Sequence, residues 1–363
     1  MTDISAQLVE QVNAALGSGT LLRIEGNNTK SQLGREQIEE GETISLSSHT
    51  GVVQYEPVEL IVTARAGTTL AEIDEVLGEH NQILACDPRR YNGAATIGGS
   101  LASNQSGNAR PWSGSLRDHV LGIKLINGKG EHLQFGGQVL KNVAGYDVSR
   151  LQAGAMGTLG VITEVSFKVL PAPAASTTLT KELPAEQALR EMNRLGRSVK
   201  PLSGAGWVDG KLYLRLQGAH SAVRATIQQW QKEIQMQRLE PKLADTFWHD
   251  LREHQLDFYQ QRSSDEPLWR FSVKSNAAHF LGGEPWAFNW SGAQRWLKGR
   301  FDSQQMRELA RSAGGEVQLY AGGDRDGELC FVSNDALKRI HQNVKNAFDP
   351  QGIFNPGRLY GWL

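Results

Sequence analysis

The feature that most restricts the fold of this chain is a stretch rich in glycine and other small residues, residues 96–162. It opens with TIGGSLASNQSGNARPWSGSLRD and closes with KNVAGYDVSRLQAGAMGTLGVI. A backbone with so few bulky side chains lets peptide N–H groups approach a ligand closely, which a phosphate or a flat cofactor requires. A set of ordinary tight turns in a β-rich domain is the alternative. We place the function of the chain in this stretch.

Length and composition exclude several classes of protein. The chain has 363 residues, enough for two domains, with 39% hydrophobic and 21% charged residues. Its net charge of −1 and the lack of a long Lys/Arg run argue against nucleic acid or anionic membrane as the main partner. No apolar run is long enough for a transmembrane helix, and the polar N-terminus does not resemble a signal peptide. The cysteines Cys86 and Cys330 lie far apart, which fits a reducing cytoplasm better than a disulfide or metal framework.

The pattern of apolar residues predicts a small α/β unit at the start of the chain. Helices are expected where apolar residues recur on one face, and strands where they alternate or run together. The expected helices are residues 4–16 and 68–80, and the expected strands are residues 21–25, 43–46, 51–55 and 60–64. Residues 120–135 read as a hairpin around an Asn-Gly turn, and residues 160–170 as a further strand.

Residues 171–176 (PAPAAS) read as a linker, and the residue composition changes after them. Helices are expected at residues 185–199 and 221–239, and strands at residues 212–217, 268–273, 287–290 and 317–320. The later part is rich in tryptophan, and Trp286, Asn289, Trp290 and Trp296 can wall a pocket or form core and interface anchors. The chain ends with a helix at residues 336–348 and the segment DPQGIFNPGRL.

Three small-residue segments carry the candidate chemistry. Residues 25–31 (EGNNTKS) follow a strand and can present N–H groups to a diphosphate, although they fit neither GxxxxGK[ST] nor GxGxxG. Residues 96–104 can begin a helix whose N-terminus faces an anion. Residues 154–162 can set backbone groups against the edge of a heterocycle. Each of the three, taken alone, is also compatible with a plain turn.

In this order, the motifs resemble the FAD-binding fold of the vanillyl-alcohol oxidase and p-cresol methylhydroxylase type, and within it the FAD-binding subunits of glycolate oxidases (glycolate dehydrogenases). The resemblance is carried by the turn at 26–31, AGTTLAEIDEVL at 66–77, LACDP at 84–88, ATIGGSLASNQSG at 95–107, LRDHVLGIKLINGKG at 116–130, residues 141–171 and FDPQGIFNPGRL at 348–359. It implies an α+β protein with a two-subdomain FAD-binding domain at residues 1–172. It also implies a smaller α+β cap domain at residues 177–335. The C-terminal segment, residues 336–363, is expected to return to the FAD domain.

The resemblance also implies which residues hold the cofactor. The turn at 26–31 would bind the pyrophosphate, the second segment would line the ribityl and flavin portions, and the third would contact adenine or flavin through its backbone. The implied residues are Gly26, Asn27, Asn28, Thr29, Lys30, Ser31, Thr96, Gly98, Gly99, Ser103, Asn104, Gly107, Arg117, Asp118, Gly154, Gly157, Gly160, Val161 and Ile162. Arg117 and Asp118 can equally be an exposed ion pair. Because His49 and Cys86 lie in no motif for covalent attachment, we expect non-covalent FAD.

The sequence indicates cofactor-binding residues but does not identify a catalytic residue. The resemblance implies that the catalytic partner subunit and related D-lactate dehydrogenases carry a histidine-rich GDGNxH-type segment that can bind a metal. In this chain the comparable residues 318–327 (QLYAGGDRDG) contain no histidine. Tyr320 and Arg325 are the candidates there for binding a carboxylate, with a solvated hairpin turn as the alternative. The scattered histidines predict no metal site.

We therefore expect a FAD-dependent oxidoreductase subunit of a glycolate oxidase complex. It would pass electrons from a small 2-hydroxy acid through flavin toward an iron–sulfur partner, and it would work beside a second, catalytic FAD-binding subunit. The chain would be cytoplasmic, with partner subunits able to hold it at the inner face of the membrane. A stand-alone FAD-dependent dehydrogenase for a 2-hydroxy acid or alcohol, and a non-catalytic scaffold subunit, remain the alternatives.

Overall fold

A computed structural model describes residues 2–137, 145–197, 200–332 and 334–363 of the chain. Part of the motif at residues 141–171 therefore lies outside the described residues. The chain forms two compact units. Unit 1 consists of Met1–Ser106, Gly114–Pro171 and Asp324–Leu363, and unit 2 consists of Gly107–Ser113 and Ala172–Gly323.

Unit 1 contains the first half of the chain and its C-terminal helix. Its strands are β1 (Leu22–Glu25), β2 (Glu42–Ser45), β3 (Val52–Glu56), β4 (Ile61–Arg65), β5 (Gln82–Ile83), β6 (Val120–Ile126), β7 (His132–Gly136), β8 (Val161–Lys168) and β9 (Leu170–Pro171). Its helices are α1 (Ser5–Ser18), α2 (Leu70–Gly78), α3 (Ile97–Ser103), α5 (Leu116–His119), α6 (Val148–Leu151) and α12 (Asp335–Phe348).

Within the described residues, the main sheet of unit 1 has five antiparallel strands in the order β3-β4-β8-β6-β7. Strand β8 lies at its centre and is buried from Val161 to Phe167, because helices and loops cover both of its faces. Strands β1 and β2 form a separate parallel pair, with Ile24 opposite Ile44. The C-terminal segment returns to this pair, since the Leu22 N–H donates to the Ile353 carbonyl at 2.7 Å. The end of β1, where the turn at 26–31 begins, is therefore fixed from two sides.

Unit 2 is built on one large sheet. Its strands are β10 (Ala175–Glu182), β11 (Leu202–Val208), β12 (Lys211–Gly218), β13 (Gln237–Arg238), β14 (Leu268–Ser272), β15 (Trp286–Asn289), β16 (Gln294–Lys298) and β17 (Glu316–Ala321). Its helices are α4 (Arg110–Ser113), α7 (Ala185–Gly196), α8 (His220–Ile234), α9 (Pro241–Glu253), α10 (Asp257–Gln260) and α11 (Ser303–Ser312), with a 3₁₀ turn at Trp290–Gly292. In the described part of the chain, all eight strands pair antiparallel in the order β13-β10-β12-β11-β15-β16-β14-β17.

The mixed α+β fold expected from the sequence is confirmed, and so is the hairpin of β6 and β7 around the Asn127 turn. Two local predictions are wrong. Residues 171–176 are not a plain linker, because Pro171 pairs with Gln82 and Ala175 already pairs with Gly218. The helix expected at residues 221–239 ends at Ile234, where Gln235 takes a left-handed conformation with φ of 53° and a short strand follows.

The boundaries of the two units do not coincide with those of the predicted domains. Residues 107–113, expected in the first domain, belong to unit 2, and residues 324–335, expected in the second, belong to unit 1. The composition of these residues does not distinguish them from their neighbours. None of the helices in the described ranges combines the length and the apolar character needed to cross a bilayer.

Candidate cofactor site

The turn at 26–31 leaves β1 with several backbone donors available. Among the described residues, the N–H groups of Asn27, Asn28 and Thr29 have no protein acceptor. Asn28 has φ of 52°, a left-handed conformation that asparagine tolerates better than most residues. Consecutive N–H groups in such a turn form a concave, electropositive surface that suits an anion. The turn can therefore hold a diphosphate without a P-loop sequence.

Helix α3 faces this turn but uses its own first donors. The N–H groups of Ile97, Gly98 and Gly99 donate to the Thr68 carbonyl, the Ala66 carbonyl and the Thr96 Oγ1. The helix begins where the sequence predicted. Because these N–H groups are occupied, the N-terminus of α3 has fewer donors for an anion than we expected. The turn at 26–31 has the available donors instead.

The third segment packs against α3 through its backbone. The N–H of Gly154 donates to the Leu101 carbonyl and that of Met156 to the Ala102 carbonyl. Gly157 has φ of 74°, and a Cβ there would lie 2.6 Å from Nδ2 of Asn355. Only glycine suits this position, since the conformation is left-handed and the space is occupied.

Two side chains of the C-terminal segment join these elements. Asn355 accepts a hydrogen bond from the Ile24 N–H at 2.9 Å and donates to the Met156 carbonyl at 2.7 Å. Arg358 donates to the carbonyls of Lys30 and Ser31, at 3.2 and 2.6 Å. The segment DPQGIFNPGRL thus fixes the turn at 26–31 and the turn at 154–157 in one arrangement.

Together these elements enclose an open cleft in unit 1. Its lining includes Gly26, Asn27, Asn28, Thr29, Lys30, Ser31, Thr96, Gly98, Gly99, Ser103, Gly157, Gly160 and Ile162, all of which were predicted from the sequence. It also includes residues that the sequence analysis did not single out: Ile24, Glu25, Gln37, Leu46, Ala66, Ala102, Met156, Asn355 and Arg358. The tail motif could have pointed to Asn355 and Arg358, whereas no local signal marks the others.

The charges of the cleft favour an anionic ligand at the turn. Lys30 places its Nζ 3.1 Å from the Thr29 Oγ1 and 4.9 Å from the centre of the Tyr91 ring. Arg358 is buried, and burial lowers the pKa of its guanidinium to about 10, with a smaller contribution from Arg325. Arg358 therefore remains a cation at neutral pH beneath the turn.

The residues of the cleft fit FAD on observations of this structure. The backbone donors of the turn and the Lys30 cation suit a diphosphate. The small residues of α3 and of residues 157–162 leave a flat, largely apolar surface beside the turn.

Six of the predicted cofactor residues lie outside the described lining of the cleft: Asn104, Gly107, Arg117, Asp118, Gly154 and Val161. Gly107 belongs to unit 2, where its carbonyl accepts from the Trp290 indole. Asp118 caps its own helix by accepting from Ser115, and Arg117 donates to the Arg150 carbonyl. Asp118 therefore has a local structural task at the start of α5.

The two candidates for carboxylate binding fall in different units. Tyr320 is buried in unit 2, where its ring contacts Trp296 and His254 and lies 5.8 Å below the Arg270 guanidinium. Arg325 is in unit 1 and donates to the Gly34 carbonyl. Each has a structural partner, and a catalytic role for either stays a prediction.

The two candidates for covalent attachment are both fully buried in unit 1. His49 accepts from the Ile4 N–H through Nδ1 at 3.2 Å. Burial raises the pKa of the Cys86 thiol to about 12, so this thiol stays protonated at neutral pH. Neither residue lines the cleft described above.

Cys86 is therefore expected to resist alkylation in the native protein, while the half-exposed Cys330 reacts. Iodoacetamide at mildly alkaline pH, followed by peptide mass spectrometry, should place the label on Cys330 first. Labelling in urea is the control, since both thiols should then react. Faster labelling of Cys86 than of Cys330 in the native state would contradict the buried, protonated thiol.

Asn355→Leu is expected to lower the free energy of unfolding of unit 1 by about 2–4 kcal/mol, because the Ile24 N–H and the Met156 carbonyl both lose their partner. FAD binding should weaken as well, since both turns are fixed by this side chain. Urea denaturation and FAD titration measure the two effects. Asn343→Leu, the same exchange at an exposed position of α12, is the matched control and should change both values little.

Comparison with known proteins agrees with the geometry. A family model described as an FAD binding domain matches residues 4–136. The 4-ethylphenol oxidase of Gulosibacter chungangensis has the same fold, with a TM-score of 0.73 at 14% identity, covering 99% of this chain and 88% of that one. The chain thus carries an FAD-binding domain of the p-cresol methylhydroxylase type, and the expected cofactor, FAD, is confirmed.

The relatives narrow the class further. Glycolate oxidase subunit GlcE of Escherichia coli K12 is 43% identical over 99% of both chains. Glycolate oxidase subunit GlcD of Bacillus subtilis 168 is 30% identical over 39% of this chain and 30% of its own length. The chain belongs to the family of glycolate oxidase GlcE subunits, and it is an FAD-dependent oxidoreductase subunit as the sequence predicted.

Proposed function

We propose that this chain is the FAD-binding subunit of a glycolate oxidase complex and that it carries electrons from a 2-hydroxy acid, glycolate, toward an iron–sulfur partner. The observation that carries the proposal is the cleft of unit 1, together with full-length similarity to GlcE. We further propose that the flavin is held without a covalent bond, since His49 and Cys86 are buried outside the lining of the cleft.

Different residues of the cleft bind different parts of FAD. The N–H groups of the turn at 26–31 and the Lys30 ammonium bind the diphosphate. The small residues of α3 leave room for the ribityl chain and the ring. Asn355 and Arg358 keep the turns in place without being required to touch the cofactor. FAD itself supplies the redox chemistry: it accepts a hydride and releases electrons singly.

The proposed partners follow from the names of the relatives and from composition. The similarity to both GlcE and GlcD supports a complex that contains a second FAD-binding subunit, and that subunit carries the substrate chemistry in our proposal. With two cysteines, this chain cannot supply the four thiolates of an iron–sulfur cluster. The cluster therefore belongs to another subunit. The complex acts in the cytoplasm, with any membrane contact made by partners.

The test compares the purified chain with the complex formed by co-expression with the GlcD-type and iron–sulfur subunits of the same organism. Both are mixed with glycolate without oxygen, and flavin absorbance is followed. We expect the flavin of the isolated chain to stay oxidised while flavin in the complex is reduced. Rapid reduction of the isolated chain would favour the stand-alone dehydrogenase, and a colourless chain would favour the scaffold.

A further inference from the structure

Unit 2 contains a second cavity with a strongly basic wall. It has a volume of about 540 Å³ and lies between α7 and residues 275–279. One wall carries Arg190, Arg194 and Arg197, which follow one another at intervals of four and three residues and so share a face of α7 and its C-cap. The proposed function of the flavin cleft uses none of these residues.

The opposite wall is held rigidly against the helix. Asn193 of α7 donates to the Ser275 carbonyl at 2.9 Å, and the Ser275 hydroxyl lies 3.0 Å from the Asn193 Oδ1. This pair of bonds fixes the distance between the two walls. The cavity is thus a built feature of unit 2.

A buried cation lies directly behind that wall. Arg295 is fully buried and donates to the carbonyls of Ala277 and Ala278 at 2.6 and 2.8 Å, and to that of Gly292 at 2.9 Å. Among the described residues it has no carboxylate partner. Burying a charge with only neutral acceptors is costly, so a nearby anion would lower the energy of the folded unit.

Arg295 also orients the peptide groups of the wall. In a trans peptide the N–H points opposite to the carbonyl, so the carbonyls held by Arg295 direct the N–H groups of Ala278 and His279 away from it. Both residues line the cavity. Within the described ranges neither N–H donates to a protein acceptor. The wall therefore offers two donors, with a positive charge behind them.

The acidic groups nearby do not cancel this charge. Glu186, which also lines the cavity, places its Oε2 3.6 Å from the Arg190 Nη1 in an exposed pair. Glu191 pairs with Arg194 at 2.7 Å and is partly exposed, and ion pairs in contact with solvent bind weakly. Arg197 has no ion-pair partner in the described part of the chain. An incoming anion with higher charge can displace these contacts, because guanidinium groups bind phosphate oxygens in bidentate fashion.

We propose that this cavity, the α7 pocket (Arg190, Arg194, Arg197, Ala278 and His279), binds a phosphate dianion, either free or as the head group of an anionic lipid. Three guanidinium groups on one side and two N–H groups on the other match the oxygens of a tetrahedral anion. A planar carboxylate would leave several of these donors unused.

The first test is calorimetric titration of the FAD-loaded chain with inorganic phosphate, at an ionic strength matched with chloride. Loading with FAD keeps phosphate out of the flavin cleft. The double variant Arg190→Gln/Arg194→Gln should weaken binding about tenfold or more. The matched control, Arg224→Gln/Arg311→Gln, removes the same charge from exposed positions of α8 and α11 and should bind as the wild type does.

The second arm replaces phosphate with vesicles that contain phosphatidic acid, whose phosphomonoester head group can carry two negative charges, with phosphatidylcholine vesicles as the blank. If the Arg190→Gln/Arg194→Gln variant loses binding of inorganic phosphate, the ligand of the pocket is a free phosphate. If it loses binding of the anionic vesicles, the ligand is a lipid head group. Failure of the wild type to bind either probe would overturn the proposal. Equal weakening by the two double variants would also overturn it, because it would show a general effect of charge.

Discussion

Replacing Gly99 with leucine should weaken FAD binding markedly while leaving the fold of unit 1 intact. Gly99 lines the cleft on α3, and a Cβ there would lie 3.1 Å from the Thr96 Oγ1 and 3.7 Å from the Lys30 Nζ. A longer side chain therefore grows into the space between α3 and the turn at 26–31. Forcing a ligand to share occupied space costs about 1–3 kcal/mol, which corresponds to roughly 5- to 150-fold weaker binding.

The matched control for this prediction is Gly17→Leu. Gly17 lies in α1 of the same unit, and a Cβ there meets nothing within 4 Å. Both changes place leucine where a helix holds glycine. At Gly99 the Thr96 hydroxyl has to shift by a few tenths of an ångström, whereas at Gly17 no neighbour has to move. FAD titration followed by flavin fluorescence measures the difference. If Gly99→Leu binds FAD as tightly as Gly17→Leu, the diphosphate and flavin do not occupy this cleft.

Lys345→Met should lower the free energy of unfolding of unit 1 by about 3–5 kcal/mol, because it leaves a buried carboxylate without its cation. Lys345 lies in α12 and donates to Asp349 at 2.7 Å, and also to the carbonyls of Thr158 and Phe354 at 2.7 and 3.0 Å. Asp349 in turn accepts from the N–H groups of Ile353 and Phe354. Burial is the main cause of the lowered pKa of Lys345.

Urea denaturation with circular dichroism checks this prediction. Lys242→Met, the same exchange at an exposed position of α9, should change stability by no more than about 0.5 kcal/mol. The double variant Lys345→Met/Asp349→Asn should recover part of the loss, since no buried charge is then left unpaired. A loss below about 1 kcal/mol for Lys345→Met would show that this network does not hold the C-terminal segment.

The effect on FAD should follow from the same network. Asp349 and Lys345 hold residues 353–354 against β1, and Asn355 and Arg358 continue from there to the two turns. Loosening the first part of the segment therefore weakens the second. Among the variants considered, Lys345→Met should reduce both stability and FAD affinity, whereas Gly99→Leu should reduce affinity alone.

The sequence singled out most of the small residues that line the cleft, for a physical reason. Runs such as EGNNTKS and TIGGS have few bulky side chains, so their backbone can come close to a ligand. The structure brings most of these residues into one cleft. The donors of α3 were misjudged, because composition does not reveal that Ala66 and Thr68 already accept from them.

Hydrogen bonds between residues far apart in the sequence were not predictable from composition or periodicity. Asn355 bonds Ile24 across 331 residues of chain, and no local pattern specifies which backbone groups a distant asparagine will reach.

Strand β16 was missed for a different reason. It contains Arg295, and a charged residue in a fully buried strand contradicts the usual rule that charges lie outside. The same arginine orients the peptide groups in one wall of the α7 pocket.

The central claim is that the cleft of unit 1 binds one FAD without a covalent bond, and the flavin content of the purified chain tests it most directly. The protein is precipitated with acid, and the flavin in the supernatant is measured by absorbance and identified by chromatography. We predict that FAD is released in about a one-to-one ratio to the chain and that Gly99→Leu purifies largely without it. Flavin that stays with the precipitate, or a wild-type chain that cannot take up FAD, would contradict the claim.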